Sequence, residues 1–342
     1  MFISSFRENI TFRINIKSAI YLLFILLFVY IVSLRHDLYY LYFIKMLAMV
    51  FYLWIINILL ASGIFSKEEV IKCIKLTIWI NVIAFLIQFS IFELTGYFID
   101  FNNYIREEYA NTLSTSRALE FFIIGLRTTG FYSEPSFYAM SIFPASIIIA
   151  LYERRIGKTF LLSIFTSMLS LSIAAIVIVL LSLLAYIKEI RKNKLVVFFL
   201  IVILIVSLPY LYDFIMDRLF NHTDYDAVGS REMIFAEFDV RGVYNNILGS
   251  GYFNNENKPI GVLGLSGAKI RDSSFYIYTF FSSGVLGCVI LAISFILFSP
   301  SGIRIKYAIL ILFLFKFGVL TSALWFFLMT LFVIKYPAKN EV

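Results

Sequence analysis

Cysteine is almost absent, with two in 342 residues, Cys73 and Cys288. Both fall in or beside apolar stretches at no metal-binding or redox spacing, so they read as packing residues and disulfides are not expected. Charge is scarce too, at 15% of residues, well below the roughly 25% of an ordinary soluble chain. Neither an internal repeat nor a low-complexity tract is evident, which withholds support from an inverted-repeat transporter. No small-residue cleavage site follows the first apolar run, so the N-terminus reads as a cytoplasmic tail and not as a signal peptide.

What fills the space is apolar: 61% hydrophobic residues, 18% aromatic, and a mean hydropathy of +0.89. Several runs are long enough to span a bilayer, which predicts an all-α integral membrane protein with a single polytopic domain over residues 1–342. The net charge of +7 sits in short loops, as the positive-inside rule expects. That placement argues against nucleic acid and for membrane lipid as the surroundings.

Arg7, Arg13 and Lys17 place the amphipathic start on the cytoplasmic face. Helices are predicted at Ser18 to Leu34, Tyr39 to Leu60 and Ile71 to Phe92, with Lys67, Lys72 and Lys75 marking an inside loop. An external loop, 94–133, leads to a helix from Glu134 to Tyr152, bent at Pro144, that returns to the basic turn Arg154, Arg155 and Lys158. Thr159 to Ile187 is basic at both flanks, so it is read as a hairpin turning near Ser170 to Ser172. The same logic makes Ile305 to Tyr336 a hairpin about Lys316-Phe317-Gly318, with Lys316 outside. Between them lie a helix at Leu195 to Tyr212, a second external loop at 213–272 forming a small helical cap, and a helix from Ser273 to Phe298. The sum is about ten crossings with both termini cytoplasmic.

Polar residue types converge at Leu126 to Tyr138, L-R-T-T-G-F-Y-S-E-P-S-F-Y. Ser133 suits a helix N-cap and Pro135 a first turn, so the helix is predicted to start at Glu134, in the positive field of its own N-terminus. Arg127 lies a short loop away across Gly130. In the second loop Ser230 is positioned to cap a helix whose apolar face is Ile234, Phe235 and Phe238, with Arg231 in its first turn; Arg241 reads as a solvated surface residue. The turn Asn246-Ile-Leu-Gly-Ser-Gly-Tyr-Phe offers Gly249 and Gly251 for close backbone approach to a ligand. Arg271 and Asp272 then stand where the next helix enters the membrane, at the depth of Arg127 and Glu134. Tyr132, Tyr138, Tyr252 and Tyr276 are of a type that stacks on sugars, and of a type that crowds interfaces for amphipathic reasons alone. His222 reads as solvent exposed.

Guanidinium forks bind a diphosphate in pairs of hydrogen bonds and stabilise it as a leaving group without a metal; a nearby carboxylate takes a proton from an attacking hydroxyl. That is the chemistry of glycosyl transfer from a lipid diphosphate, with no cofactor and no metal.

The ordered set R-x-x-G-x-x-x-E-P-S at Arg127 to Ser136, S-R-x-x-x-F at Ser230, L-G-S-G-Y at Leu248 and D-S-S-F-Y-x-Y-x-F-F-S-S-G-V-L-G at Asp272 to Gly287 resembles the Wzy-type family of bacterial O-antigen and capsular polysaccharide polymerases, related to the O-antigen ligases. The resemblance covers about residues 120 to 290. It implies a GT-C-like fold in the bacterial cytoplasmic membrane, with the active site outside. It implies an undecaprenyl-diphosphate-linked oligosaccharide as both donor and acceptor, and a chain-length regulator and a flippase as partners. On this reading Arg127, Arg231 and Arg271 hold the diphosphate, and Glu134 or Asp272 serves the acceptor hydroxyl. The ligase pattern has a histidine near the end of the large external loop, where this chain has Arg271-Asp272. A ligase is one alternative; a lipid-linked oligosaccharide flippase or a non-catalytic envelope partner is another.

Overall fold

The computed structural model describes residues 13–34, 39–102, 126–185, 212, 229–254, 258–271, 273–298, 303–319 and 321–335. Among them the chain is helical, with no strand. The helices are α1 (Ile16–Ser33), α2 (Tyr40–Ala61), α3 (Lys67–Thr95), α4 (Pro135–Glu153), α5 (Lys158–Leu169), α6 (Ile173–Ala185), α7 (Gly229–Val240), α8 (Gly242–Leu248), α9 (Gly267–Arg271), α10 (Phe275–Phe298), α11 (Ile303–Leu312) and α12 (Ser322–Lys335).

Five of these, α1 to α4 and α10, are long and apolar enough to cross a membrane. Their surfaces carry the same message. On α1 the outward residues Ile16, Ile20, Leu23, Leu27 and Ile31 recur at helical spacing and are exposed, while Tyr21, Leu22, Ile25, Phe28 and Val29 are buried. A helix that is apolar on both faces has no water-facing side and suits lipid. On α10 the exposed set Val285, Leu286, Val289, Ile293 and Ile296 repeats the pattern.

Helix boundaries follow local chemistry. Helix α3 starts before the predicted Ile71 because Ser66 and Glu69 form a capping box. Glu69 N–H donates to Ser66 Oγ at 3.1 Å, and Ser66 N–H donates to Glu69 Oε2 at 2.8 Å. Helix α4 starts one residue after the predicted Glu134: that residue is the N-cap, in extended conformation, with Pro135 at the first helical position. The proline ring disfavours the helical region for the residue before it. Ser133 therefore stands outside the cap. Helix α4 continues through Pro144.

Both expected interruptions occur. Between α5 and α6 the chain breaks at Ser170 to Ser172, where Leu171 takes a φ of 50°. Between α11 and α12 lies a non-helical stretch holding Lys316, Phe317 and Gly318. The predicted helix at Leu195 falls outside the described residues.

Cα packing divides the chain into two compact units. One draws on Met1–Lys72, Met233–Ile309 and Lys316–Val342; the other on Cys73–Glu232 and Leu310–Phe315. Three of the four boundaries fall inside helices, in α3, α7 and α11, and the fourth in the non-helical stretch before α12. In the first unit α1 packs on α2 and α10, α12 packs on α2, and α8 and α9 pack on α10. In the second, α4 packs on α5 and α6. Lys75 near the start of α3 forms an ion pair with Glu153 at the end of α4. That pair ties α3, about two turns after its start, to the last residue of α4.

Candidate functional site

The second unit holds the Arg127 cluster. Leu126 to Gly130 is a non-helical stretch buried alongside α3, and Arg127 is only 6% exposed. Two and three residues further on, the backbone is held by an amide on α3: Gln88 Oε1 accepts the N–H of Thr129 at 3.0 Å and of Gly130 at 2.9 Å. The same side chain donates through Nε2 to Ile99 O at 2.7 Å. Gly130 has a φ of +59°, and a Cβ there would lie 3.4 Å from Asn81 O and 3.5 Å from Phe85 N. Glycine is thus favoured by conformation, and the neighbouring backbone leaves little room to spare.

Tyr138, one turn into α4, packs its ring at a tilt against Phe85, with centres 4.6 Å apart, and donates its hydroxyl to Thr166 Oγ1 at 2.8 Å. It is a core tyrosine, closed to sugar. Glu134 is exposed, and its Oε2 accepts the Ser136 hydroxyl at 3.0 Å. The arginine and the carboxylate, expected together in one outward-facing polar site, therefore occupy different surroundings, one packed inside its unit and one on the surface.

The first unit holds the glycine cluster. Helix α10 is broken at Gly284, which takes φ 64° and ψ −170°. A break frees carbonyls of the preceding turn, and each must find a partner. Phe281 O accepts Ser250 N–H at 3.0 Å and Arg241 Nη1 at 3.0 Å; Ser282 O accepts Gly251 N–H at 2.8 Å. The L-G-S-G-Y stretch thus straps the broken helix. A Cβ on Gly249 would collide with Ser282 backbone atoms, and one on Gly284 with the Ile247 carbonyl. The close approach that these glycines permit is made to the protein's own helix.

The strap continues through Tyr252, whose N–H donates to Ser33 Oγ at 3.1 Å and whose hydroxyl donates to Ser283 Oγ at 3.0 Å. Tyr39 N–H donates to Phe253 O at 2.9 Å. Like Tyr138, Tyr252 is buried.

Arg241, expected in solvent, is 4% exposed. Its guanidinium lies 4.7 Å from the Phe238 ring centre and 5.1 Å from that of Phe281, and its Nε donates to Asn246 Oδ1 at 2.6 Å. The sequence signal for this was the aromatic spacing around it, which suits a guanidinium plane. Burial lowers the Arg241 pKa, and the negative charge of Glu237 opposes that. Glu237 is itself fully buried, accepting the N–H groups of Val262 and Leu263 at 2.8 Å each. A Cβ on Gly261 would strike that carboxylate. Phe235, predicted on the apolar face with Ile234, is 53% exposed, while Ile234 is buried.

Arg271 ends α9, half-buried, with Nη1 donating to Tyr42 OH at 3.4 Å and its guanidinium 5.6 Å from the Tyr42 ring centre. Arg231 stands in the first turn of α7, as predicted. The Arg231 side chain, Asp272 and His222 lie outside the described residues. Within each unit the structure therefore brings together Arg127 with Gly130, and Gly249 with Gly251. Gln88 and Glu237, which hold those segments, were not singled out from the sequence. Gln88 had a signal: an amide in a membrane helix is costly unless it has a task. No protein-family model, no curated protein and no solved structure matches this chain.

Proposed function

We propose that the chain is a polysaccharide polymerase of the bacterial cytoplasmic membrane. In this reading it transfers a growing glycan from undecaprenyl diphosphate to the next lipid-linked repeat unit. The observation that carries it is Arg127: an arginine 6% exposed, two residues before a backbone held by hydrogen bonds to Gln88, in a chain with five helices apolar enough to span lipid. A buried guanidinium needs anionic or carbonyl oxygens around it, and a preorganised one is strongest against a doubly charged leaving group.

On this reading the molecule makes about ten crossings in a GT-C-like arrangement, with its termini inside and the site outside. Arg127 and Arg231, both in the second unit, bind the diphosphate. Glu134, exposed at the start of α4 in that unit, receives the acceptor proton.

The broken α10 raises the transporter reading, because discontinuous helices often mark ion and substrate sites. Here Phe281 O accepts from both Ser250 and Arg241, and Ser282 O accepts from Gly251, so the protein's own donors already engage both carbonyls. That favours the enzyme.

The test is purified protein in nanodiscs with lipid-linked repeat units, with and without EDTA, read as a ladder on a gel. A ladder that persists in EDTA and falls about 100-fold or more in Arg127→Ala is expected, by analogy with losing one transition-state donor. A fully active Arg127→Ala overturns the assignment. Transfer only to an added lipid or protein acceptor makes the chain a ligase. Asp224 and Asp226 form a D-x-D pair outside the described residues, and loss of the ladder in EDTA would replace the metal-free mechanism with one that uses them.

A further inference from the structure

We propose that Gln88 is a positioning residue that sets the place of Arg127; this rests on the polymerase reading. Gln88 sits in the 29-residue helix α3 and is fully buried. A glutamine carboxamide offers one oxygen with two lone pairs and one NH2. Here the oxygen takes two consecutive backbone N–H groups, those of Thr129 and Gly130, while the nitrogen donates to Ile99 O. One side chain therefore ties together two segments of the first large loop, at Ile99 and at Thr129 to Gly130.

The grip matters because this stretch belongs to neither a helix nor a strand. Its buried N–H groups depend on a side-chain acceptor, and without one the segment must move until water or another acceptor reaches them. Arg127 lies two residues before the first clamped amide. A displacement of about 1 Å in a binding group is enough to cost about 100-fold in rate.

An alternative is that Gln88 only welds the fold. The two roles separate because the amide acts on Arg127 through position alone. Gln88→Met removes all three hydrogen bonds at nearly constant volume. Gln88→Glu is more discriminating. Its protonated form reproduces the glutamine pattern, accepting from Thr129 and Gly130 and donating to Ile99 O. Its charged form loses the donor and places a negative charge against that carbonyl.

The experiment uses full-length wild type, Gln88→Met and Gln88→Glu in nanodiscs, assayed with lipid-linked repeat units. Amide hydrogen exchange over residues 126–130 is followed on the same samples. Expected for Gln88→Met are faster exchange at Thr129 and Gly130 and a 10- to 100-fold loss carried mainly by the KM for the lipid-diphosphate donor. For Gln88→Glu, activity relative to wild type falls as pH rises. Unchanged exchange in Gln88→Met overturns the clamp; faster exchange with unchanged KM overturns the positioning role. If Gln88→Met does not fold, a flat pH profile of Gln88→Glu against wild type overturns the proposal. A wild type that makes no ladder sinks the polymerase reading, and the positioning role with it, whereas failure of the variants alone leaves that reading standing.

Discussion

At the scale of single residues, the arginine chemistry can be tested by exchanging one cation for another. Lysine keeps the charge of Arg127 but gives up the planar fork, so Arg127→Lys is expected to retain partial activity, about 10-fold below wild type, against the larger loss of the alanine variant. Equal losses in a gel-ladder assay would mean that the guanidinium geometry is not what the site uses. Glu237 makes a different prediction, one of stability. Removing its carboxylate by Glu237→Ala takes the acceptor from the N–H groups of Val262 and Leu263, both on exposed residues, at about 0.5–1.5 kcal/mol each. A clear drop in detergent melting temperature is expected; an unchanged melt would show that water replaces the carboxylate there. Residue types were legible in the sequence and residue environments were not. Arg127 and Gly130 stand out as a pattern, yet nothing in R-T-T-G says that the arginine is buried. Arg241 was read as solvated because charge is usually outside, and tertiary packing of Phe238 and Phe281 around it decides otherwise.

At the scale of elements, the interruptions were easier to anticipate than the caps. Serines between large apolar residues signalled the break at Ser170 to Ser172, and Lys316 could not rest at the centre of an apolar run. The break at Gly284 was missed because a glycine in a membrane helix is ordinary; only the strap at Gly249 to Gly251 gives it meaning. The glycines should therefore differ sharply on substitution. Gly249 holds φ 78° and ψ −180°, a region nearly exclusive to glycine, and an added Cβ meets immovable backbone. Gly249→Ala is expected to lose about 3 kcal/mol or more, combining backbone strain with overpacking, and to fail in membrane expression. Gly130, at φ +59° with its nearest contact at 3.4 Å, should tolerate alanine at about 1–2 kcal/mol. Fluorescence-detected size-exclusion of both variants decides; a folded Gly249→Ala would mean that the strap yields.

At the scale of the whole molecule, the question is which way each apolar segment runs. The basic residues Arg154, Arg155 and Lys158 follow α4, and Lys75, about two turns into α3, pairs with Glu153 at its end. Basic residues at that end are what the cytoplasmic face supplies. Helix α5 is 12 residues long, shorter than the ~20 residues of a straight crossing. The turn between α5 and α6 lies among buried serines: Ser170 Oγ donates to Ser167 O at 2.7 Å, and Ser172 is buried as well. Polar groups satisfied in this way allow a chain reversal inside a membrane protein. Helices α11 and α12 leave the same kind of gap around Lys316, which the charge rule places outside. Single cysteines at Lys316 and Lys158, in a background with Cys73 and Cys288 replaced, test this directly with a membrane-impermeant maleimide on intact cells. Labelling of Lys316→Cys before permeabilisation, and of Lys158→Cys only after it, is expected. The reverse pattern would invert the topology, move the Arg127 cluster to the cytoplasmic side and remove the lipid-linked glycan outside the cell as its substrate.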